Sequence, residues 1–302
     1  MLVIVAPGQG AQSPGFLSPW LELPNFEDRL RWLSACAGLD LVRYGTTADA
    51  EEIKDTAVTQ PLVVAAALLA AGRLDVPPGV PVAGHSVGEL AAAAIAGVLD
   101  ADAAVALAAV RGRAMAAACA LEPTGMSAVL GGNPDDVLAT IERLGLDPAN
   151  RNGAAQTVAA GPLPALAELA EQKPDKSRVV PLPVAGAFHT RFMAPAEEAV
   201  RAHAASIVPV DPTRPLLSNA DGSVVDSGAE ALRRLVTQVT RPVRWDACMA
   251  MLGDLGVTAV IELPPAGALV GLVKRELKGT ATLALKTPED LEKAAVLIKE
   301  HT

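Results

Sequence analysis

The sequence predicts an α/β protein: a large domain built on a parallel sheet, with a smaller α+β unit inserted into it. Three observations carry this expectation. The chain opens on an unbroken apolar run, Leu2-Val3-Ile4-Val5-Ala6, that leads straight into a glycine loop, Pro7-Gly8-Gln9-Gly10-Ala11-Gln12. Continuous apolar runs are how strands buried on both faces read. Strand-length and helix-length patterns then alternate through the first 120 residues, the rhythm of a parallel sheet with covering helices. Beyond Glu122-Pro123-Thr124-Gly125 the spacing shortens, as in a split βαβ, or ferredoxin-like, unit.

Taken in order, helical periodicity follows the opening strand over 25–37, 60–71, 89–96 and 101–120, with a strand ending at Gly84 among them. In the inserted unit, strands at 126–130, 157–160 and 178–182 alternate with helices at 134–144 and 163–172. Then come a helix over 196–205, an apolar stretch at 215–218, helices over 229–239 and from 247, a strand at 258–261 and a surface helix at 291–300. The large domain is therefore expected over 1–123 and 188–302 and the small one over 124–187. A chain of 302 residues suits one sizeable domain with a smaller insertion.

Composition excludes several classes of function. A net charge of −9 disfavours nucleic acid or an anionic membrane as the main partner, because both need a basic field. Aromatics at 3% leave little for base stacking. Cys36, Cys119 and Cys248 are odd in number and far apart, so they are expected to be buried packing residues in a reducing compartment, not disulfides or metal ligands. The first apolar run lacks a basic n-region, and the longest uncharged one, 62–72, falls short of the ~20 residues a membrane helix needs. A cytoplasmic protein without metal or cofactor is expected.

The chemistry points to Gly84-His85-Ser86-Val87-Gly88, a GxSxG pattern between a strand and an alanine-rich helix. This is the setting of a nucleophile elbow, in which the two glycines permit a tight turn and the serine stands above the sheet edge, so the large domain is expected to be α/β-hydrolase-like. The following helix aims its first N–H groups at negative charge forming beside Ser86. A serine needs a base. His301 lies at the end of the chain, expected to fray, and His203 on a polar helix face; His85, next to Ser86, should point away from it. His189, in Gly186-Ala187-Phe188-His189-Thr190 on the connection out of the small unit, is the candidate, its alternative being a surface residue of that loop.

With these residues in view, the chain resembles the malonyl-CoA:acyl carrier protein transacylases of fatty acid synthesis and the related acyltransferase domains of polyketide synthases. The matching segments are PGQGAQ at 7–12, TQP at 59–61, GHSVGE at 84–89, Arg111-Gly112-Arg113-Ala114-Met115, GAFH at 186–189, the segment 238–245, and Glu262 with the turn after it. The resemblance implies that Ser86 attacks a thioester, that His189 is base and then acid, and that the main-chain carbonyl of Gln238 orients the histidine. It implies an oxyanion hole from the N–H groups of Gln9 and Val87, and Arg111 as the grip on the malonyl carboxylate. Phe188 matches selectors of the unbranched malonyl group, and His85, Gln60 and Asn152 match positions near the pocket. Malonyl-CoA and an acyl carrier protein are the implied partners. The sequence departs from the family's glycine-proline-glycine turn after Glu262, having Leu263-Pro264-Pro265-Ala266-Gly267 instead.

Two other readings stay open on the residues alone: a serine hydrolase, which needs Ser86 and His189 but not Arg111, and a non-catalytic subunit that docks a carrier protein. Docking of an acidic carrier needs local basic surface; Lys173, Lys176, Arg178 and Arg191 form one candidate patch, Lys274, Arg275 and Lys278 another.

Overall fold

The computed structural model describes every residue except Ala154. Its strands are β1 (Leu2–Ala6), β2 (Val82–Gly84), β3 (Thr124–Gly131), β4 (Asp147–Arg151), β5 (Gln156–Pro162), β6 (Ser177–Pro181), β7 (Leu216–Leu217), β8 (Val224–Val225), β9 (Val243–Arg244), β10 (Ala259–Glu262) and β11 (Ala281–Ala284). They form two sheets with helices packed around them, a mixed α/β fold. The first has the order β11-β10-β1-β2-β7-β8 and is parallel except for its β7–β8 hairpin. The second, β6-β3-β5-β4-β9, is antiparallel except where β9 joins β4.

β1 lies inside the first sheet, and all five of its residues are buried. Its register sets Ala6 opposite Gly84 and Val5 opposite Glu262. Three loops therefore leave one edge together: the glycine loop at 7–12, the turn after Gly84 and the turn after Glu262. The crevice at the carboxyl ends of parallel strands is where such sheets bind ligands.

Two helices carry further site residues to that edge. Helix Thr56–Ala71 begins a turn before its expected start, because the Asp55 carboxylate accepts the Ala57 N–H at 2.9 Å, an N-cap. Helix Ala101–Cys119 is capped in the same way by Asp100. Gly112 lets the two helices approach; a Cβ there would stand 2.7 Å from the Thr56 carbonyl oxygen.

The small sheet is built by β3, helix Pro134–Arg143, β4, β5, helix Leu163–Glu171 and β6. Its residues alternate between two faces. Val129 and Ala159 pack with Ile141 and Leu169 beneath the unit's own helices, whereas Met126, Ala128, Val158 and Ala160 join the main core of the molecule.

Some expectations are corrected. Only Cys248 is fully buried; Cys36 and Cys119 are partly buried. His301 is the last residue of helix Leu291–His301, with Nδ1 2.8 Å from Thr258 Oγ1. Strands β4 and β11 and helices Leu41–Thr46 and Ala268–Glu276 were not expected at all. No helix among the described residues is long and apolar enough to cross a membrane.

Candidate active site

Ser86 sits between β2 and helix Gly88–Ile95 with φ 53°, in the left-handed region, which costs an L-residue energy. Its neighbours are glycines of necessity, since a Cβ on Gly84 would collide with the Gly88 carbonyl and one on Gly88 with the Ala6 carbonyl. The turn is clamped by Asn219, whose Oδ1 accepts the Ser86 N–H at 2.8 Å while its Nδ2 donates to the Gly84 carbonyl at 2.7 Å.

His189 reaches the serine from the connection after β6. Its Nε2 lies 2.7 Å from Ser86 Oγ and its Nδ1 2.9 Å from the main-chain oxygen of Gln238. A carbonyl only accepts, so Nδ1 carries the proton and Nε2 is left to take one from the serine. Burial above all, and then the charge of Arg111, push the imidazole pKa down to about 3. The ring is neutral at physiological pH. Its backbone, at φ 62°, is also left-handed.

Arg111, beside Gly112 on helix Ala101–Cys119, is 2% exposed. It donates from Nη1 to Gln60 Oε1 at 2.7 Å, and from Nη2 to Gln238 Oε1 at 3.1 Å and Ser86 Oγ at 3.3 Å. Burial brings its pKa down to about 10, opposed by Glu89, so it stays charged at neutrality. Glu89 is buried behind the elbow: its Oε1 accepts the Asn219 N–H at 2.6 Å and its Oε2 accepts Gln238 Nε2. Burial raises the carboxyl pKa, against the pull of the Asn219 N–H, Arg111 and Gln238; with both oxygens facing only N–H donors, it accepts as the carboxylate.

Of the remaining predicted residues, Gln9, Gln60, His85, Asn152 and Phe188 line one cleft with Ser86 and His189, about 390 Å³ in volume. His85 turns its Nε2 to Asn152 Oδ1 at 2.8 Å and its ring edge to Trp245; burial lowers its pKa. Gln60 also donates from Nε2 to Met115 Sδ at 3.4 Å. Phe188 and the Gly8-Gln9-Gly10 loop line the cleft, opposite Met126, Val158 and Leu182 of the small unit. Val87 follows Ser86, buried at the start of its helix. The Glu262 carboxylate accepts the N–H groups of Gly267, Leu269 and Val270 at 2.9–3.0 Å. It thereby fixes the unusual proline turn and the helix Ala268–Glu276, which brings Leu269, Leu272 and Arg275 to the cleft. Among the described residues no His, Cys, Asp or Glu cluster is placed to hold a metal.

Sequence reasoning gave no role to Asn219 or Glu89. The signal for Asn219 was a polar residue directly after the apolar stretch at 215–218; for Glu89, a carboxylate on the otherwise apolar helix 89–96.

Residues 3–300 match the family model described as acyl transferase domain. A malonyl CoA-acyl carrier protein transacylase of Mycobacterium tuberculosis is 59% identical over 302 residues, covering 98% of this chain and all of that one. The crystal structure of MCAT from Mycobacterium tuberculosis superposes with a TM-score of 0.94 at 58% identity, covering 97% of this chain and 99% of that one. A malonyl-transacylase solved in complex with its type II polyketide acyl-carrier protein superposes with a TM-score of 0.90 at 28% identity, covering 98% and 99% of the two chains.

Proposed function

The chain belongs to the acyl transferase family, and on that premise we propose that it moves a malonyl group from malonyl-CoA to the phosphopantetheine thiol of an acyl carrier protein, through a malonyl ester on Ser86. The observation that carries this reading is the buried Arg111 guanidinium standing 3.3 Å from Ser86 Oγ: a fixed cation beside the nucleophile suits an acyl group that ends in a carboxylate.

In the first half-reaction Ser86 Oγ passes its proton to His189 Nε2 and attacks the thioester carbonyl carbon. The carbonyl oxygen becomes an oxyanion, held by the N–H groups of Gln9 and Val87. The C–S bond breaks, and the coenzyme A thiolate leaves with the proton from His189. The carrier thiol then repeats the sequence in reverse against the ester, giving ping-pong kinetics. No third carboxylate is required, because a thiolate leaves easily compared with an amine; the Gln238 carbonyl does the orienting. Phe188 fills space beside the acyl α-carbon, and Gln60 and Asn152 hold Arg111 and His85 in place.

The elbow on a parallel sheet supports an α/β-hydrolase-like large domain over 1–123 and 188–302. The β-α-β-β-α-β connectivity of β3 to β6 supports a ferredoxin-like unit over 124–187. Free cysteines fit a cytoplasmic enzyme, serving fatty acid or polyketide synthesis.

The test is intact mass after mixing the protein with malonyl-CoA, beside Ser86→Ala, followed by carrier protein bearing its thiol arm. An adduct of malonyl mass that needs Ser86 and moves to the carrier is expected. An adduct lost to water at one rate with or without carrier would make the protein a hydrolase, and no adduct at all would sink both.

A further inference from the structure

We propose that Glu89 is a positioning residue for acyl selection: it fixes which way the Gln238 side-chain amide faces, and through that amide holds Arg111 aimed at Ser86. The inference rests on the transacylase reading and assigns a function to a buried carboxyl that the chemical steps do not use.

The hydrogen-bond chain runs without a break. Gln238 Nε2 donates to Glu89 Oε2 and lies 3.4 Å from Asn219 Oδ1, so two acceptors stand on that side of the amide. On the other side Gln238 Oε1 accepts from Arg111 Nη2 at 3.1 Å, and a guanidinium has only donors to offer. The amide therefore has one satisfied orientation. The arginine is held by two side-chain oxygens, those of Gln238 and Gln60, with the serine hydroxyl as its third contact. Glu89 is itself anchored, because its other oxygen accepts the main-chain N–H of Asn219 at 2.6 Å.

Replacing Glu89 by glutamine keeps the shape and removes one acceptor. The new amide must present its oxygen either to the Asn219 N–H or to the Gln238 Nε2. The backbone N–H cannot turn and a side-chain amide can, so the Asn219 bond persists and two NH₂ groups face each other. Gln238 relieves this by turning over, which sets its NH₂ against Arg111 and drives the guanidinium off its aim. The main-chain carbonyl of Gln238, and with it the His189 contact, is untouched. The loss falls on acyl groups that need Arg111, not on ester formation as such.

The experiment measures kcat/KM for Ser86 ester formation from malonyl-CoA and from acetyl-CoA, which lacks the distal carboxylate, in wild type, Glu89→Gln, Gln238→Met and the double variant. In Glu89→Gln the malonyl-to-acetyl ratio should fall about tenfold or more, through malonyl-CoA alone, the scale of a lost hydrogen bond to a charged group. Gln238→Met should lower the malonyl-to-acetyl ratio likewise, whatever it does to the two absolute rates. The double variant should lose no more than either single one, because both act through one amide. Equal losses on the two thioesters in Glu89→Gln, or single losses that multiply in the double variant, would overturn the proposal. If Glu89→Gln forms no ester from either thioester, Gln238→Met decides, and an unchanged ratio there overturns it. A wild type that forms no malonyl ester is a different failure, that of the transacylase reading.

Discussion

His189, the proposed base, is dry and flanked by a cation. Both influences disfavour the imidazolium, so the proton-accepting form persists far below the usual histidine value of 6.5. Ester formation on Ser86 should therefore show no acid limb near pH 6.5; rapid-quench rates between pH 8 and 5 check this, and a fall centred on 6.5 would contradict it. The same shift has a consequence for stability. The native pKa lies below the unfolded one, so the unfolded chain binds more protons, and stability falls as pH drops from about 6.5 toward about 3. His189→Asn should flatten that part of a melting-temperature profile. At Arg111, lysine keeps the charge and loses the planar fork. Arg111→Lys should lower kcat/KM for malonyl-CoA by about 10²-fold while sparing acetyl-CoA more, given the strength of paired charge-assisted hydrogen bonds. The residues legible in the sequence were those whose role depends on local pattern, Ser86 in its glycine turn above all. Asn219 and Glu89 were not, because the hydrogen bonds that tie them into the elbow span 130 or more residues.

Elements follow the same division between local and distant causes. β1 and the helices at 101–119 and 56–71 announce themselves by apolar runs or by a capping aspartate. Helix Ala268–Glu276 has no local cap; its free N–H groups are taken by Glu262, five to eight residues back on the preceding strand, so no start signal exists to be read. β4, Asp147-Pro148-Ala149-Asn150-Arg151, has residues poorly suited to strands and forms because β5 and β9 flank it. The elbow itself can be tested at this level. Gly88→Ala forces a Cβ into the Ala6 carbonyl, and should destabilise the protein by ~1–3 kcal/mol, the cost of overpacking, or more. Gly271→Ala, on a helix with open space around the new methyl, should instead stabilise it by about 0.5–1 kcal/mol. Urea titrations of the two variants beside wild type give both values.

At the scale of the whole molecule, the two sheets share a core. One face of the small sheet belongs to the main apolar cluster, and its β9 edge is supplied by residues 243–244, far along the chain from the 124–181 stretch that holds its other strands. The protein should unfold in one cooperative transition, with circular dichroism and tryptophan fluorescence coinciding, and the isolated 124–187 segment should not fold. Separate transitions would show the units to be independent. Sequence rhythm marks the shorter spacing after Glu122 but not this joint ownership, which depends on pairing between chain segments far apart. Ser86 and His189 are two of the four non-glycine residues at positive φ among the described residues, where a residue without a side chain would rest at ease. Ser86→Gly is accordingly expected to melt at a higher temperature than the wild type while being chemically inert. A breeding programme that rewarded heat tolerance alone would erase the enzyme from its centre outward, so any screen for a hardier version has to count product as well as survival.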